Sequence, residues 1–548
     1  SEFKSEDRSD WYEFLPEQDT YDKKAVIDWT DELDKPAGKH GFIKISEKDK
    51  SLSFEDGTPA RFWGTNLVGG DVFLTHDETD KMVKRLAKLG ANIVRLHHMD
   101  APWAEPNIFG NSKETTRMLS EESLDKLDYL IYKLKEAGIY VFMDMVVHRK
   151  ILPGDGIENP GEIPNGMKEI IFIDEKLQDL TKEYVKNLLE HQNKYTGFRY
   201  VDEPSIVFME IINESSLFYW DRNKDIPEKY TIKLNRLFNQ YLKEKYGTMD
   251  KLKKEWSRYG DSNLQENENF NDNSVKRESF QINWEDWSGF ATALSTGRGA
   301  DTKRFYFYYQ DKFYTKMYDY MKSIGVKALI TGSNHWEKWD ADVYSNSKFD
   351  FIDRHSYWDH PSGGWSMQEN ISFTNTPMLK MKTNCIAELA HSRINDKPFT
   401  VSEWNFLLPN EYRTGAPIIM AAYGKMQGWN GLLQFNFVTY EWKNLLTQFC
   451  DFSRSPDILS QWAPALKIFH NNYVTTSKQK LVEYVSEKDM FETKNLSYKL
   501  VNGDYNSPLM IKIAKTFDKS EESKDFNPVL KKGAALSITQ ELYWNLKK

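Results

Sequence analysis

Cysteine is nearly missing from this sequence: there are two, Cys385 and Cys450, in 548 residues. Two thiols exclude a disulfide framework and a thiolate zinc site, so a pair of buried free thiols is expected. No apolar run approaches the ~20 residues that span a bilayer. The densest stretch, Ile206 to Ile212, has the length of a buried strand. Positive charge is not in excess either. Lys and Arg total 73 against 82 Asp and Glu, and the net charge of −9 argues against nucleic acid or a membrane as partner. Lysines alternate with acids along the chain, as on a solvated surface. There is no internal repeat, and nothing reports the oligomeric state. The opening Ser1-Glu2-Phe3-Lys4 lacks a charged-then-apolar targeting pattern, so no signal peptide is expected within this chain.

Aromatic residues, by contrast, are plentiful: 17 Trp, 29 Tyr and 32 Phe, or 14% of the chain. Many must fill a large core, and those in loops offer flat faces for ring-shaped ligands.

Strand-like and helix-like segments alternate from about residue 60 to residue 474, the pattern of an α/β fold with a parallel sheet. The strands read Ala60–Asn66, Ala91–His97, Ile139–Val147, Ser205–Asn213, Val326–Thr331, Phe351–Tyr357, Phe399–Glu403 and Gly431–Phe437. Helical periodicity appears between them, as in Met82, Leu86 and Leu89 with Gly90 as a stop. Eight such repeats predict a (β/α)₈ TIM barrel over residues 41–474, with an insertion at 215–301. Residues 1–40 read as an N-terminal extension. Gly41 to Phe54 reads as a hairpin, and residues 475–548 as a small β-rich appendage with strands at 481–485, 498–501, 509–513 and 535–538.

Barrels of this kind gather their chemistry at the C-terminal ends of the strands. Two glutamates occupy such ends, Glu214 after the fourth strand and Glu403 after the seventh. A carboxyl pair serves glycosidic bond cleavage, one member giving a proton to the leaving oxygen and the other attacking the anomeric carbon. Arg95 is placed to keep Glu403 ionised, and Tyr357 to donate to the same carboxylate. Asn213 suits the sugar hydroxyl beside the reacting carbon. An apolar strand behind Glu214 favours its protonated form. His355 suits tuning of the pair, His97 suits substrate contact, and Trp336, Trp358 and Trp404 suit stacking. Trp256 and Trp442 read as packing residues. Histidines at 97, 98, 148 and 335 invite a metal reading, but the first strand carries no His-x-His, so no metal or other cofactor is expected.

Together, Arg95, Ile212-Asn213-Glu214, His355-Ser356-Tyr357 and Ser402-Glu403-Trp404 resemble the clan A glycoside hydrolases, most closely glycoside hydrolase family 5. The resemblance covers about residues 36 to 470. It implies Glu214 as acid/base and Glu403 as nucleophile of a retaining β-glycosidase. The opening Pro36–Phe42 with Phe62–Asn66 is similar to cellulase-type secreted proteins, which implies β-1,4-glucan as substrate, endo action and an extracellular location. Leu242–Gly247, with Leu252 and Trp256, is similar to the β-galactosidases of family 42. A β-mannan or a β-galactoside is therefore the alternative substrate, and a non-catalytic sugar-binding barrel the alternative class. Two departures stand out. The eighth strand reads Gln434-Phe435-Asn436-Phe437 where family 5 often places a tryptophan, and the third does not supply that family's histidine.

Overall fold

The computed structural model describes residues 9–10, 28–280, 295–337, 339–367, 369–381, 383–439, 448–493, 505–523 and 533–545. Two short strands, β1 (Ile43–Ile45) and β2 (Leu52–Phe54), pair antiparallel ahead of the main sheet. That sheet takes eight parallel strands: β3 (Phe62–Val68), β4 (Ile93–His97), β5 (Tyr140–Val146), β6 (Ile206–Ile212), β7 (Leu329–Thr331), β8 (Ile352–Trp358), β9 (Phe399–Phe406) and β10 (Gly431–Gln434). Their spatial order, β7-β6-β5-β4-β3-β10-β9-β8, joins the first of them to the last, as a (β/α)₈ barrel requires.

Closure is incomplete at one place. β7 is three residues long and shares no ladder with β8. Asp350 bridges that seam: its N–H donates to the Ile330 carbonyl at 3.1 Å, and its carboxylate accepts the Ile330 N–H at 2.9 Å. One residue thus supplies both halves of a missing rung.

The helices start and stop where their caps dictate. Thr75 and Glu78 form a reciprocal capping box at the head of α1 (His76–Lys88), which buries Met82, Val83 and Leu86. Each such side chain contributes about 1.5–3 kcal/mol on leaving water. Ser120 caps α2 (Glu121–Ala137), which ends at Gly138 with φ 81°. A Cβ there would lie 2.8 Å from the Asp34 carbonyl oxygen, so glycine answers both the backbone conformation and the close approach. Asp174 caps α3 (Glu175–Leu189). The insertion folds as α4 (Glu228–Tyr246) and α5 (Met249–Trp256).

The next helix, α6 (Gly297–Ser323), begins five residues before the Thr302 expected from sequence. Thr296 accepts the Gly299 N–H at 2.9 Å and caps it. Gly297 has no side chain because a Cβ would sit 2.7 Å from the Trp256 backbone. Its glycines gave that first turn no hydrophobic periodicity to read. Then follow α7 (Asp340–Ser345), α8 (Cys385–Ala390), α9 (Ala416–Gln427) and α10 (Pro456–His470). Cys385 and Cys450 are buried and form no disulfide with each other.

Of the N-terminal extension, residues 28–40 pack beneath the barrel, where Trp29 N–H donates to the Lys88 carbonyl at 3.0 Å and Ala37 N–H to Lys135 at 2.8 Å. At that same end, away from the C-terminal strand ends, a cavity of about 570 Å³ is lined by Trp29, Arg61, Tyr140 and Lys425 among others. After the barrel, β11 (Lys480–Tyr484) precedes α11 (Glu487–Glu492) and α12 (Ser507–Met510). β12 (Lys512–Thr516) pairs parallel with β11, and β13 (Ala534–Leu536) antiparallel with β14 (Tyr543–Asn545). The expected strand at 509–513 is split between α12 and β12, because Pro508 favours a helical first turn. The one at 498–501 lies outside the described residues, as does Trp442. Gln427 fastens this region to α9: its amide donates to Pro508 and Ile511 carbonyls at 2.6 and 2.7 Å and accepts the Ile513 N–H at 2.9 Å.

Candidate active site

Strand alternation builds the site from below. Ile93, Arg95 and His97 succeed one another at period two on β4, as do Phe142 and Asp144 on β5, Phe208 and Glu210 on β6, and Asp353, His355 and Tyr357 on β8. The lowest layer is apolar, with Phe62, Tyr140, Phe142, Phe208 and Phe351 packed together. The Arg95 guanidinium lies 5.6 Å above the Phe142 ring centroid, and a polar layer begins there.

Arg95 is fully buried and spends every donor. Its Nε reaches Asp144 at 2.9 Å, Nη1 reaches Glu403 Oε1 at 2.6 Å and Asn66 at 3.2 Å, and Nη2 reaches Asn213 at 2.8 Å and Glu210 at 3.4 Å. Burial pushes Glu210 well above the usual carboxylate range and raises Asp144 as well, with Arg95 opposing. His97 shares a short hydrogen bond with Asp144 and sets Nε2 3.3 Å from Glu403 Oε1. Burial and Arg95 drive its ring well below the ordinary imidazole range.

Glu403 is thus gripped at both oxygens. Oε1 takes Arg95, and Oε2 accepts the Tyr357 hydroxyl at 2.5 Å. Burial holds Glu403 above the usual carboxylate range, with Arg95 and the Tyr357 hydrogen bond opposing the rise. Tyr357 itself is pushed well above its ordinary value by burial and then by Glu403, so it remains a donor.

Glu214 sits differently. Its side chain is 28% exposed, against 7% for Glu403. Its φ of 42° places a non-glycine residue in the left-handed region, at a cost of roughly 1–2 kcal/mol. Two side chains hold that turn. Asn334 accepts the Glu214 N–H at 3.0 Å, and the Lys168 ammonium donates to the carbonyls of Asn213 and Glu214.

His355 connects the pair. Its Nδ1 lies 2.6 Å from Glu214 Oε1 and 3.5 Å from Glu403 Oε2, and its Nε2 lies 2.9 Å from Ser402 Oγ. Ser402 gives its one hydroxyl proton to Asp353, whose oxygens also accept from Thr400 at 2.5 Å, the Ser402 N–H at 3.0 Å and Asn334 at 3.1 Å. Ser402 must therefore accept from His355, which puts the ring proton on Nε2. Burial lowers His355 to about 4, so it carries no second proton at neutral pH. Nδ1 is left as a bare acceptor. The 2.6 Å contact then needs the proton on Glu214, which is the form a general acid requires.

One oxygen of Glu214, one nitrogen of His355 and one oxygen of Glu403 all lie within 4.8 Å of one another. The same three residues are those that could hold a metal ion among the described residues. Both Glu403 oxygens, however, already accept from Arg95 and Tyr357, and a buried guanidinium at 2.6 Å opposes a second cation.

Arg95, His97, Asn213, Glu214, His355, Tyr357 and Glu403 thus converge. Arg95 fixes the Asn213 amide oxygen, which turns its NH₂ the other way. Trp336 is half-buried beside the β7 end, stacked on His335 at 5.3 Å. Trp404 is a correction. It is 1% exposed and packs on Trp63 at 5.8 Å, because a residue next to the inward Glu403 must point outward. Trp358 is half-buried, its indole N–H on the Thr376 carbonyl at 2.8 Å. The sequence assigns no role to Asp353, Ser402, Asn334 or Lys168. The first was findable at period two with His355 and Tyr357; Lys168 comes from an irregular loop and leaves no pattern.

No protein-family model matches the chain, and no curated protein sequence matches it. Solved structures do. A β-galactosidase from Rahnella sp. R3 is similar at TM-score 0.54 and 12% identity, over 83% of this chain and 65% of that one. A catalytic mutant of Gan42B, a GH42 β-galactosidase from G. stearothermophilus, is similar at TM-score 0.52, also at 12% identity and over 83% and 65% of the two chains. An endo-β-1,4-mannanase from Thermotoga petrophila is similar at TM-score 0.48 and 14% identity, over 79% of this chain and 83% of that one. This chain spans just under two thirds of the length of those β-galactosidases. At such identities the likeness is one of fold, and it is the fold described above.

Proposed function

We propose that this protein is a retaining β-glycoside hydrolase, with Glu403 as nucleophile and Glu214 as acid/base. The observation that carries this reading is that one oxygen of Glu214 and one of Glu403 lie within 4.8 Å of each other beside His355. Retaining enzymes hold their carboxyls ~5–5.5 Å apart, whereas inverting ones need ~6.5–9.5 Å to admit a water. In the first step Glu403 attacks the anomeric carbon while Glu214 protonates the departing oxygen. In the second, Glu214 takes a proton from water, which displaces Glu403. Asn213 is aimed to bind the neighbouring sugar hydroxyl, and Tyr357 and Arg95 hold the nucleophile's two oxygens in place.

The substrate is a β-linked glycan. The cellulase-like opening segment favours β-1,4-glucan. β-Mannan and β-galactoside follow from the same clan resemblance, and the structures similar at TM-scores 0.54 and 0.52 are those of β-galactosidases. An extracellular site of action goes with a polymeric substrate.

The test is the anomeric configuration of the first product, read by proton NMR on soluble β-glucan, β-mannan and aryl β-glycosides. The β-anomer is expected first; an α-anomer would remove the nucleophile assignment. Glu403→Gln should lower turnover by several orders of magnitude with folding intact. A metal-dependent hydrolase is the second reading, prompted by the Glu214–His355–Glu403 cluster. Activity undiminished by a chelator decides against it.

A further inference from the structure

Among the described residues, two tryptophans have more than half of their surface exposed: Trp103 at 52% and Trp365 at 73%. Trp103 follows β4 and Trp365 follows β8, and in the ring of eight these strands stand four places apart. The two indoles therefore rise from opposite sides of the barrel mouth.

Each is tied by ring contacts to the carboxylate between them. On one side Trp103 lies 4.9 Å from His98, His98 lies 3.9 Å from His97, and His97 reaches Glu403. On the other, Trp365 lies 5.5 Å from His360, His360 lies 5.6 Å from Tyr357, and Tyr357 donates to Glu403. Both indoles are also held in place. Trp103 donates Nε1–H to His148 at 3.2 Å and closes over Gly69, where a Cβ would come within 2.8 Å of its ring. Trp365 is stacked on Phe449, with centroids 6.0 Å apart and planes 23° from parallel, so its other face meets solvent.

We propose that Trp103 and Trp365 are sugar-stacking platforms at the two ends of one binding cleft, so that the carboxyl pair meets a bond inside a β-linked polysaccharide. A flat indole presents its apolar face to the C–H face of a pyranose ring, and a fixed one loses little freedom in doing so. This rests on the glycosidase reading for what happens at the centre, but not for the binding itself.

Binding is therefore tested on a chain that does not turn over. Glu403→Gln protein, alone and with Trp103→Ala or Trp365→Ala, is run in gels containing galactomannan or carboxymethyl-cellulose, and its tryptophan fluorescence is followed in titration. Each indole loss should weaken retardation roughly tenfold, the pair should weaken it further, and Trp365→Phe should keep most of it. Because both residues are exposed, melting curves should be unchanged. Unaltered retardation in both variants, or none of the Glu403→Gln protein by either polymer, overturns the proposal. So does release by the native chain of only mono- or disaccharide with viscosity unchanged. Binding that depends on both indoles in a protein that cleaves nothing upholds the platforms and removes the catalytic reading instead.

Discussion

His355 turns its unprotonated nitrogen, Nδ1, toward Glu214 Oε1 at 2.6 Å. The proton between them belongs to the carboxyl. Ser402 sets this arrangement by accepting from the opposite ring nitrogen at 2.9 Å.

Removing that acceptor frees the ring to place its proton on Nδ1 and donate to Glu214, which favours the carboxylate. Ser402→Ala should therefore move the alkaline limb of the kcat/KM profile to lower pH, by about one unit or less for one hydrogen bond. An unmoved limb, with folding intact, would dissociate Ser402 from the acid's protonation.

Tyr357→Phe deletes the hydroxyl that meets Glu403 Oε2 at 2.5 Å and leaves the ring in place. A hydrogen bond to a charged group contributes about 1.5–3 kcal/mol, so kcat/KM on an aryl glycoside should fall roughly 10- to 100-fold. A change below threefold would show that Arg95 alone fixes the nucleophile.

Arg95→Met leaves Asp144, Glu210 and Glu403 crowded without their cation. Breaking a buried pair in this way costs about 3–5 kcal/mol, seen as a lower midpoint in denaturant melts at pH 7. Adding Glu210→Gln should recover part of the loss. No recovery would mean that the carboxyls are not the source of the cost.

His355 is neutral when folded because burial lowers it to about 4, against ~6.5 in an unfolded chain. A depressed value contributes stability that is present above the unfolded pKa and is lost as pH falls toward the folded one. Between pH 7 and pH 4 the stability margin over His355→Gln should therefore shrink by on the order of 3 kcal/mol. Paired melts at the two pH values give the number, and a margin that grows in acid would mean that the folded ring takes up its proton more readily than the unfolded one.

The barrel was legible because its signals are local. Leu86 and Gly90 close a helix, Ile93, Arg95 and His97 alternate, and the pattern recurs often enough to close a ring. Glu214 and Glu403 stood out as acids ending apolar strands. Tryptophan in the neighbourhood of a candidate catalytic residue was a poor guide. Trp404, adjacent to Glu403, is turned away from it by strand geometry, whereas Trp103 and Trp365 reach the mouth from loops that carry no period. The left-handed turn at Glu214 was equally unreadable, since Asn334 and Lys168, which hold it, lie 120 and 46 residues away.

The gap between β7 and β8 bears on the two carboxyls unequally. Glu403 belongs to β9, which is laddered to a neighbour on each flank. Glu214 is held from both banks of the opening, its backbone by Asn334 beyond β7 and its carboxyl by His355 on β8. A slight widening there swings one group relative to its own main chain and leaves the other where it was. A proton donor that must address a departing oxygen and later an arriving water gains from that latitude, while an attacking atom, aimed at one carbon throughout, is served by rigid footing.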